Sequence, residues 1–491
     1  MRTHWLIPET PFDSYLDYLE RTGPSALMEA RNLGPDGVLS ELERSGLRGR
    51  GGAGFPTAQK WRAIKDHPCS THVVVCNAAE GEPGTFKDRW ILRHNPYAVL
   101  EGMLIAAQVI GTRQLYLVTK GAYTRELSRL REAIAEMSYH GVLAGYDLEV
   151  VEGADHYLLG EERALLEVIE GNDPLPRDWD NPPYEVGLFA SPGAPNPTLV
   201  NNLETLARVP GIVRGGGATF AALGTADTAG PLILTVSGAV RRPGIFEVEA
   251  GISLRVLLED FAGGPGAGHH IKGVLPGFAS RVLTEADLDT PVDFGSFRAI
   301  GASLGAAGLM VLDERSSIPR VAQAVARFLY VESCNQCSAC KFGLGQASRA
   351  LDEICGIYGG TAVEVSDALR GARMAPQGNR CSLPVQGATL IPSLIELFPA
   401  ELGEELGRRE KATQPWPVPK IVDYHEGLRR FSFDTYWSNK RPDWSQAPIS
   451  YAAARPHHAS ALVGSTSSAS QLAVLPHEPP PRNTTKNGAS T

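Results

Sequence analysis

Between about residues 72 and 205, short runs rich in Val, Leu and Tyr (HVVVCN, QLYLVTKG, YDLEVVEG) alternate with longer segments. In those segments, NPYAVLEGMLIAAQVIG, RELSRLREAIAEMS and EERALLEVIEG, apolar residues recur every three to four positions. The runs predict strands and the segments helices, so an α/β layer with a largely parallel sheet is expected. Residues 1–45 carry helical spacing. From 231 to 312, beginning PLILTVSGAV, the pattern predicts hairpin, strand and helix in a small β-grasp-like module. Residues 317–411 are helical by period, and beyond Trp416 the pattern weakens. The expected organisation is a helical segment 1–45, an α/β domain 46–230, a β-grasp domain 231–312, a helical domain 313–411 and an extension 412–491. Within that extension, 453–491 holds too little apolar surface to order itself.

The helical period breaks at RGRGGAGFPT, residues 48–57, where Gly49, Gly51 and Gly54 satisfy G-x-G-x-x-G. That pattern signals a dinucleotide only when a strand precedes it and an acidic residue follows about 20 positions on. Here GVLSELERSGLRG upstream and PTAQKWRAIKDHP downstream both read as helices, with Pro56 suited to a first turn. The loop therefore joins two helices. Glycine lets the backbone approach a phosphate, and a helix start supplies a positive end. Arg48, Arg50 and Lys60 add positive charge. A phosphate-bearing ligand is favoured over a solvated turn. A second break, LPRDWDNPPYEVGLFASPGAPNPT at 175–198, is long for a plain connection and is expected to line a site.

Composition narrows the function classes. With 491 residues, 43% hydrophobic and 21% charged, the chain is ordinarily globular, with room for two to four domains. A net charge of −9 argues against nucleic-acid binding and makes the cationic loop a local feature. The start MRTHWLIPETPFDSYLDYLE lacks a secretory pattern, and no run of about 18 apolar residues appears. A cytoplasmic protein is expected, without direct membrane insertion and peripheral to the membrane only through partners. Its seven cysteines are an odd number, which points to thiol or metal chemistry rather than a disulfide framework.

Three of those cysteines, Cys334, Cys337 and Cys340, form C-x-x-C-x-x-C in ESCNQCSACKFG. One tight loop then aims three thiolates at corners of an iron–sulfur cubane, with a fourth ligand from elsewhere. A single zinc more often takes paired ligands from two separate knuckles. The fourth cysteine is Cys355 or Cys381. Cys355, in ALDEICGIY, fits a buried helix position, whereas Cys381, in GNRCSLP, lies in irregular backbone free to turn and is favoured. Cys69 and Cys76 read as core thiols.

Two segments combine glycine with acidity, CNAAEGEPGTFKDRW and LLGEERALLEVIEG. Glu80, Glu82, Glu161 and Glu162 would oppose a phosphate unless they face ribose hydroxyls or a ring N–H. With RGRGGAGFPTAQKW, CNAAEGEPGTFKDR, GEERALLE, PTLVNNLETLA and ESCNQCSAC in this order, the chain resembles the flavin-bearing NADH-oxidising subunit of respiratory complex I. The same module recurs in NAD-linked hydrogenases and formate dehydrogenases. The resemblance runs from about residue 34 to about residue 405.

The resemblance implies a Rossmann-like FMN/NADH-binding domain, a β-grasp (soluble-ligand-binding) insert and a C-terminal helical bundle carrying a [4Fe–4S] cluster. It implies hydride transfer from NADH to FMN, then one-electron transfer through that cluster to partners. Those partners would be a thioredoxin-like [2Fe–2S] subunit and further iron–sulfur subunits, since no such domain precedes residue 34 and no second cysteine set follows Cys381. Position by position, Gly49, Arg50, Gly51, Gly52, Gly54 and Lys60 would form the FMN cradle. Asn77, Asn201 and Asn202 would contact the flavin and ribityl phosphate, and Glu80, Gly160 and Glu161 would line the same site. Phe55, Glu82 and Glu162 would form the NADH side, and Cys334, Cys337, Cys340 and Cys381 would hold the cluster. No side chain would act as acid or base, because the hydride chemistry belongs to the cofactor.

Departures from the family pattern qualify this. Ala79 stands where an aspartate hydrogen-bonds the flavin, which removes a partner. Arg163 stands where Thr or Ser is common and is expected to pair with Glu161. Asn335 and Ala339 replace the glycine and proline of the cluster loop. Two alternatives stay open: a diaphorase subunit of an NAD-linked hydrogenase or formate dehydrogenase, and an iron–sulfur scaffold without NADH oxidation.

Overall fold

The computed structural model describes residues 4–178, 182–191, 193–357, 359–408, 420–435, 437 and 440–443; the expected disorder of 453–491 lies outside the described residues. The chain opens with α1 (Tyr15–Thr22), α2 (Ala26–Ser45) and α3 (Thr57–Lys65). It then alternates β1 (Val73–Asn77), α4 (Lys87–His94), α5 (Pro96–Ile110), β2 (Gln114–Lys120), α6 (Thr124–Tyr139), β3 (Asp147–Gly153), α7 (Glu162–Ile169), β4 (Thr198–Asn202), α8 (Leu203–Gly215) and α9 (Gly217–Ala221).

The first four strands make one parallel sheet in the order β3-β2-β1-β4. β1 reads as an unbroken apolar run because helices cover both of its faces. Val74 and Cys76 pack into one hydrophobic layer, and Val73 and Val75 into the opposite one, as the two-residue strand period requires. From β1 the chain winds outward through β2 and β3, then returns to place β4 on the other side of β1. The reversal makes a switch point between β1 and β4, the place where open α/β sheets commonly bind ligands. The expected strands form; β4 and α4 are additions that the apolar pattern did not single out.

A second, five-stranded sheet comprises β5 (Pro231–Gly238), β6 (Gly244–Glu249), β7 (Ile271–Leu275), β8 (Leu283–Thr284) and β9 (Gly308–Asp313), in the order β6-β5-β9-β7-β8. Its β5–β9 pair is parallel and the other pairs are antiparallel. A short helix, α10 (Leu254–Val256), runs on as a π turn through Leu257–Phe261, and Leu257 and Leu258 bury against the sheet. This is a β-grasp arrangement. α11 (Phe294–Ala299) follows β8.

The helical region contains α12 (Ile318–Glu332), α13 (Ser338–Ile354), α14 (Ala362–Met374), α15 (Leu383–Glu396) and α16 (Pro399–Gly407). α13 and α14 touch backbone to backbone: a Cβ on Gly343 would sit 2.5 Å from the Gly371 carbonyl oxygen. The chain ends, among the described residues, in a hairpin of β10 (Ile421–His425) and β11 (Arg430–Phe433), followed by residues that reach α12. Arg89 of α4 donates to Ile421 O at 2.8 Å. Further on, the Trp437 ring stacks on Phe328 and Lys440 pairs with Glu332 at 2.7 Å. This hairpin lies where the sequence pattern fades. Among the described residues no helix is long and apolar enough to cross a membrane.

Candidate functional site

At the switch point, β1 and β4 align so that Asn77 stands opposite Asn202 in the parallel register. The glycine loop lies against this edge. Arg50 N donates to Thr205 Oγ1 at 2.9 Å, and a Cβ on Gly51 would come 3.1 Å from Asn202 Cβ, so glycine lets the loop sit close without displacing that side chain. Gly49 N donates to Phe55 O at 2.8 Å and closes the loop, while Gly52 and Gly54 take φ of 122° and 65°. Phe55 stands on the rim with 53% of its surface exposed.

The asparagines differ in what they hold. Asn77 Nδ2 donates to Gly160 O at 2.8 Å, tying β1 to the turn before α7. Asn201 Oδ1 accepts from the buried Trp61 Nε1 at 2.7 Å, which pins α3 to β4. Asn202 caps α8 through Glu204 N and donates to Asp88 Oδ2 at 2.7 Å. Beneath them runs a buried ionic network that no sequence motif announces. Lys87 Nζ lies 2.7 Å from Asp88 and 3.0 Å from Glu204, and Arg208 bridges Glu204 and Glu247.

The four carboxylates separate into two kinds. Glu82 Oε1 accepts from Phe278 N at 2.6 Å, and its other oxygen accepts from Tyr157 OH. Burial raises its carboxyl above the ordinary range, although these donors pull the other way. Glu162 is half-exposed and meets Lys60 Nζ at 3.0 Å. By contrast, Glu80 is spent on protein: it accepts from Asp88 N at 3.1 Å and Arg89 Nε at 2.9 Å, at the start of α4. Glu161 caps α7 through Arg163 N and Ala164 N. The expected Arg163–Glu161 pair forms at 2.8 Å. The side chains of Glu80 and Glu161 thus hold helix N-termini and arginines, in contrast to those of Glu82 and Glu162.

Cys334, Cys337, Cys340 and Cys381 line one small cavity together with Leu158 and Arg380. Cys355 is not part of that lining; it ends α13, buried in the helical core. Asn335 sits at φ 69°, a left-handed conformation that asparagine tolerates better than most residues, so it substitutes for the family glycine there. Ala339 falls in the first turn of α13, where proline and alanine are both acceptable. Four cysteines facing one small cavity supply the four thiolate ligands that an iron–sulfur cubane takes. Burial pushes the Cys381 thiol up to about 12 and raises that of Cys340 as well, so a bound metal favours their thiolate forms.

The two centres share one element, the 3-10 turn Tyr157–Gly160. Leu158 lines the cysteine cavity while Gly160 O holds Asn77. Residues 42–211 match the Nuo51 FMN-binding domain, and residues 320–405 match the NADH-ubiquinone oxidoreductase-F iron-sulfur binding region. The NADH-quinone oxidoreductase F subunit of Aquifex aeolicus (strain VF5) is 36% identical over 413 residues, covering 81% of this chain and 92% of that protein. This chain belongs to the F-subunit family of NADH-quinone oxidoreductase.

Another relative, the F 2 subunit of NADH-quinone oxidoreductase from Rhizobium meliloti (strain 1021), is 40% identical over 329 residues, 65% of this chain and 77% of its own length. Among solved structures, the NAD+-reducing [NiFe]-hydrogenase in its H2-reduced state superposes with a TM-score of 0.72 at 31% identity, covering 80% of this chain. This chain spans 66% of that hydrogenase chain.

The residues fit both groups that the two matched regions bind. Arg50 is buried, and its Nε and Nη1 have no hydrogen-bond partner, as is also true of Thr57 Oγ1 at the start of α3. Such buried donors cost about 1–3 kcal/mol each when unmet, and a phosphate at the loop supplies acceptors. Burial lowers the Arg50 guanidinium to about 10, with Glu204 offsetting part of that, so it remains a cation at neutral pH.

Proposed function

We propose that this chain oxidises NADH, with FMN over the C-terminal ends of β1 and β4 and the [4Fe–4S] cluster held by Cys334, Cys337, Cys340 and Cys381. The single observation behind this is the Tyr157–Gly160 turn, which touches the asparagine edge on one side and the cysteine cavity on the other. When bound, FMN takes a hydride from the nicotinamide and the cluster passes electrons on singly.

The protein's own part is binding and orientation. Arg50 and Lys60 neutralise the phosphate at the Gly49, Gly51, Gly52 and Gly54 loop. Asn77, Asn202 and the Gly160 backbone hold the ring and ribityl chain. Asn201 sets the angle of α3 through Trp61. Phe55 offers an exposed face to adenine, while Glu82 and Glu162 meet the nucleotide. Glu80 and Glu161 act indirectly by holding helix starts.

Electrons leave to a thioredoxin-like [2Fe–2S] subunit and further iron–sulfur subunits, and any membrane association runs through them. The similarity to the hydrogenase favours one second reading, a diaphorase subunit in an NAD-linked hydrogenase or formate dehydrogenase. Identifying the co-purifying subunits separates the two. The test of the function itself is reconstitution with FMN, iron and sulfide, followed by NADH–ferricyanide assay. Flavin absorbance with activity is the expected result; neither would leave only a scaffold.

A further inference from the structure

We propose that Arg163 is a positioning residue that ties Glu161 to the loop carrying Cys381 and raises the reduction potential of the [4Fe–4S] cluster. The proposal rests on the cluster assignment above and concerns a residue in which this chain departs from the family pattern.

Arg163 is buried at 2% exposure. Its Nε and Nη2 donate to Glu161 Oε1 at 2.9 and 2.8 Å, and Nη2 also donates to Arg380 O at 2.6 Å, the carbonyl of the peptide leading into Cys381. The contacts continue from there. Arg380 Nη1 donates to Gln336 Oε1 at 2.9 Å, and Gln336 Nε2 lies 3.6 Å from Cys334 Sγ. Gln336 Nε2 also reaches Pro176 O, and Arg380 Nε pairs with Asp178 at 3.0 Å, so these two residues back the same loop. Arg163 therefore joins the α7 start to the Cys381 loop, and the Arg380 guanidinium carries the connection on to the loop of Cys334. A threonine or serine at this position is too short to span from Glu161 to Arg380 O.

The electrostatic consequence follows from the pairing. Arg163 and Glu161 together are neutral; without the arginine, the Glu161 carboxylate that acts on Cys381 loses the guanidinium it pairs with. Reduction adds a negative charge to the cluster, and an uncompensated anion in a low-dielectric setting opposes it. Arg163 removes that opposition.

The test is an EPR-monitored redox titration of the reconstituted holoprotein, comparing wild type with Arg163→Thr, Arg163→Gln and Arg163→Lys, with iron content measured alongside. The expected result is a midpoint shifted to more negative values in Arg163→Thr and Arg163→Gln, and close to wild type in Arg163→Lys. A purely structural role would lower iron content or stability and leave the midpoint alone. If Arg163→Thr fails to retain iron, the Gln and Lys variants decide. Equal midpoints in the Gln variant and wild type, or a positive shift, would overturn the proposal while leaving the NADH-oxidising reading intact. A wild type without flavin absorbance or a cluster signal would overturn both.

Discussion

Replacing Lys87 by methionine should unseat the charge network beneath the switch point. Lys87 is 1% exposed, and its Nζ meets Asp88 at 2.7 Å, Glu204 at 3.0 Å and Asn202 Oδ1 at 3.4 Å. Burial works against its charge, but Asp88, Glu204 and Glu80 outweigh it, and the ammonium stays protonated well above the usual lysine range. Methionine keeps the stem and deletes the cation. Glu204 retains Arg208, whereas Asp88 loses its only ion-pair partner among the described residues. Removing one partner of a buried pair costs about 3–5 kcal/mol. For an α/β domain of this size that corresponds to a fall of roughly 10 °C in Tm.

The pH dependence fixes the mechanism. Burial pushes the Asp88 carboxyl up to about 6, and Lys87 opposes that rise. Without Lys87 the carboxyl moves higher still. An acid whose folded pKa is raised destabilises the fold when ionised, and that penalty begins to fall once pH drops below the folded value, so the difference between two proteins with different folded values closes between those values. The deficit in Lys87→Met should therefore shrink between about pH 8 and about pH 5.5. Differential scanning calorimetry of both proteins at both pH values measures it. A deficit below about 2 °C, or one that does not change with pH, would refute the account.

Further tests address the two centres. Cys381→Ala should abolish the cluster EPR signal and bound iron, while Cys355→Ala keeps both, because only Cys381 joins the other three at the cavity. Glu82→Gln should lower kcat/KM for NADH by roughly 10-fold through the loss of charge-assisted bonds to Phe278 N and Tyr157, with iron content unchanged in a parallel assay. Asn335→Val, at φ 69°, should cost about 1–2 kcal/mol and speed iron loss to a chelator, whereas Asn335→Gly is tolerated. Lys60→Ala should weaken FMN binding about tenfold by flavin fluorescence titration.

Local chemistry carried much of this protein's character into its linear order. Cys334, Cys337 and Cys340 are readable as a cluster loop because three ligands lie within a single turn of chain. β1 is readable because a strand covered on both faces must be apolar throughout, whereas the edge strand β3 is readable from apolar residues set between exposed Asp147 and Glu149. The glycine loop announces close backbone approach for the same local reason.

Side-chain partnership was settled elsewhere. Glu80 and Glu82 are two residues apart and look alike in the sequence, yet one is held by α4 and Arg89 and the other by Phe278, which follows β7. Arg163 finds a carbonyl 217 positions away. The NN pair of β4 becomes informative only once that strand docks beside β1 and brings Asn202 opposite Asn77. The hairpin Ile421–Phe433 escapes a period search because each strand is short and its Val422 points to solvent. Periodicity reports which face of an element is covered, but a carboxylate's or amide's role depends on which donors reach it, and long-range packing alone brings those donors within about 3 Å.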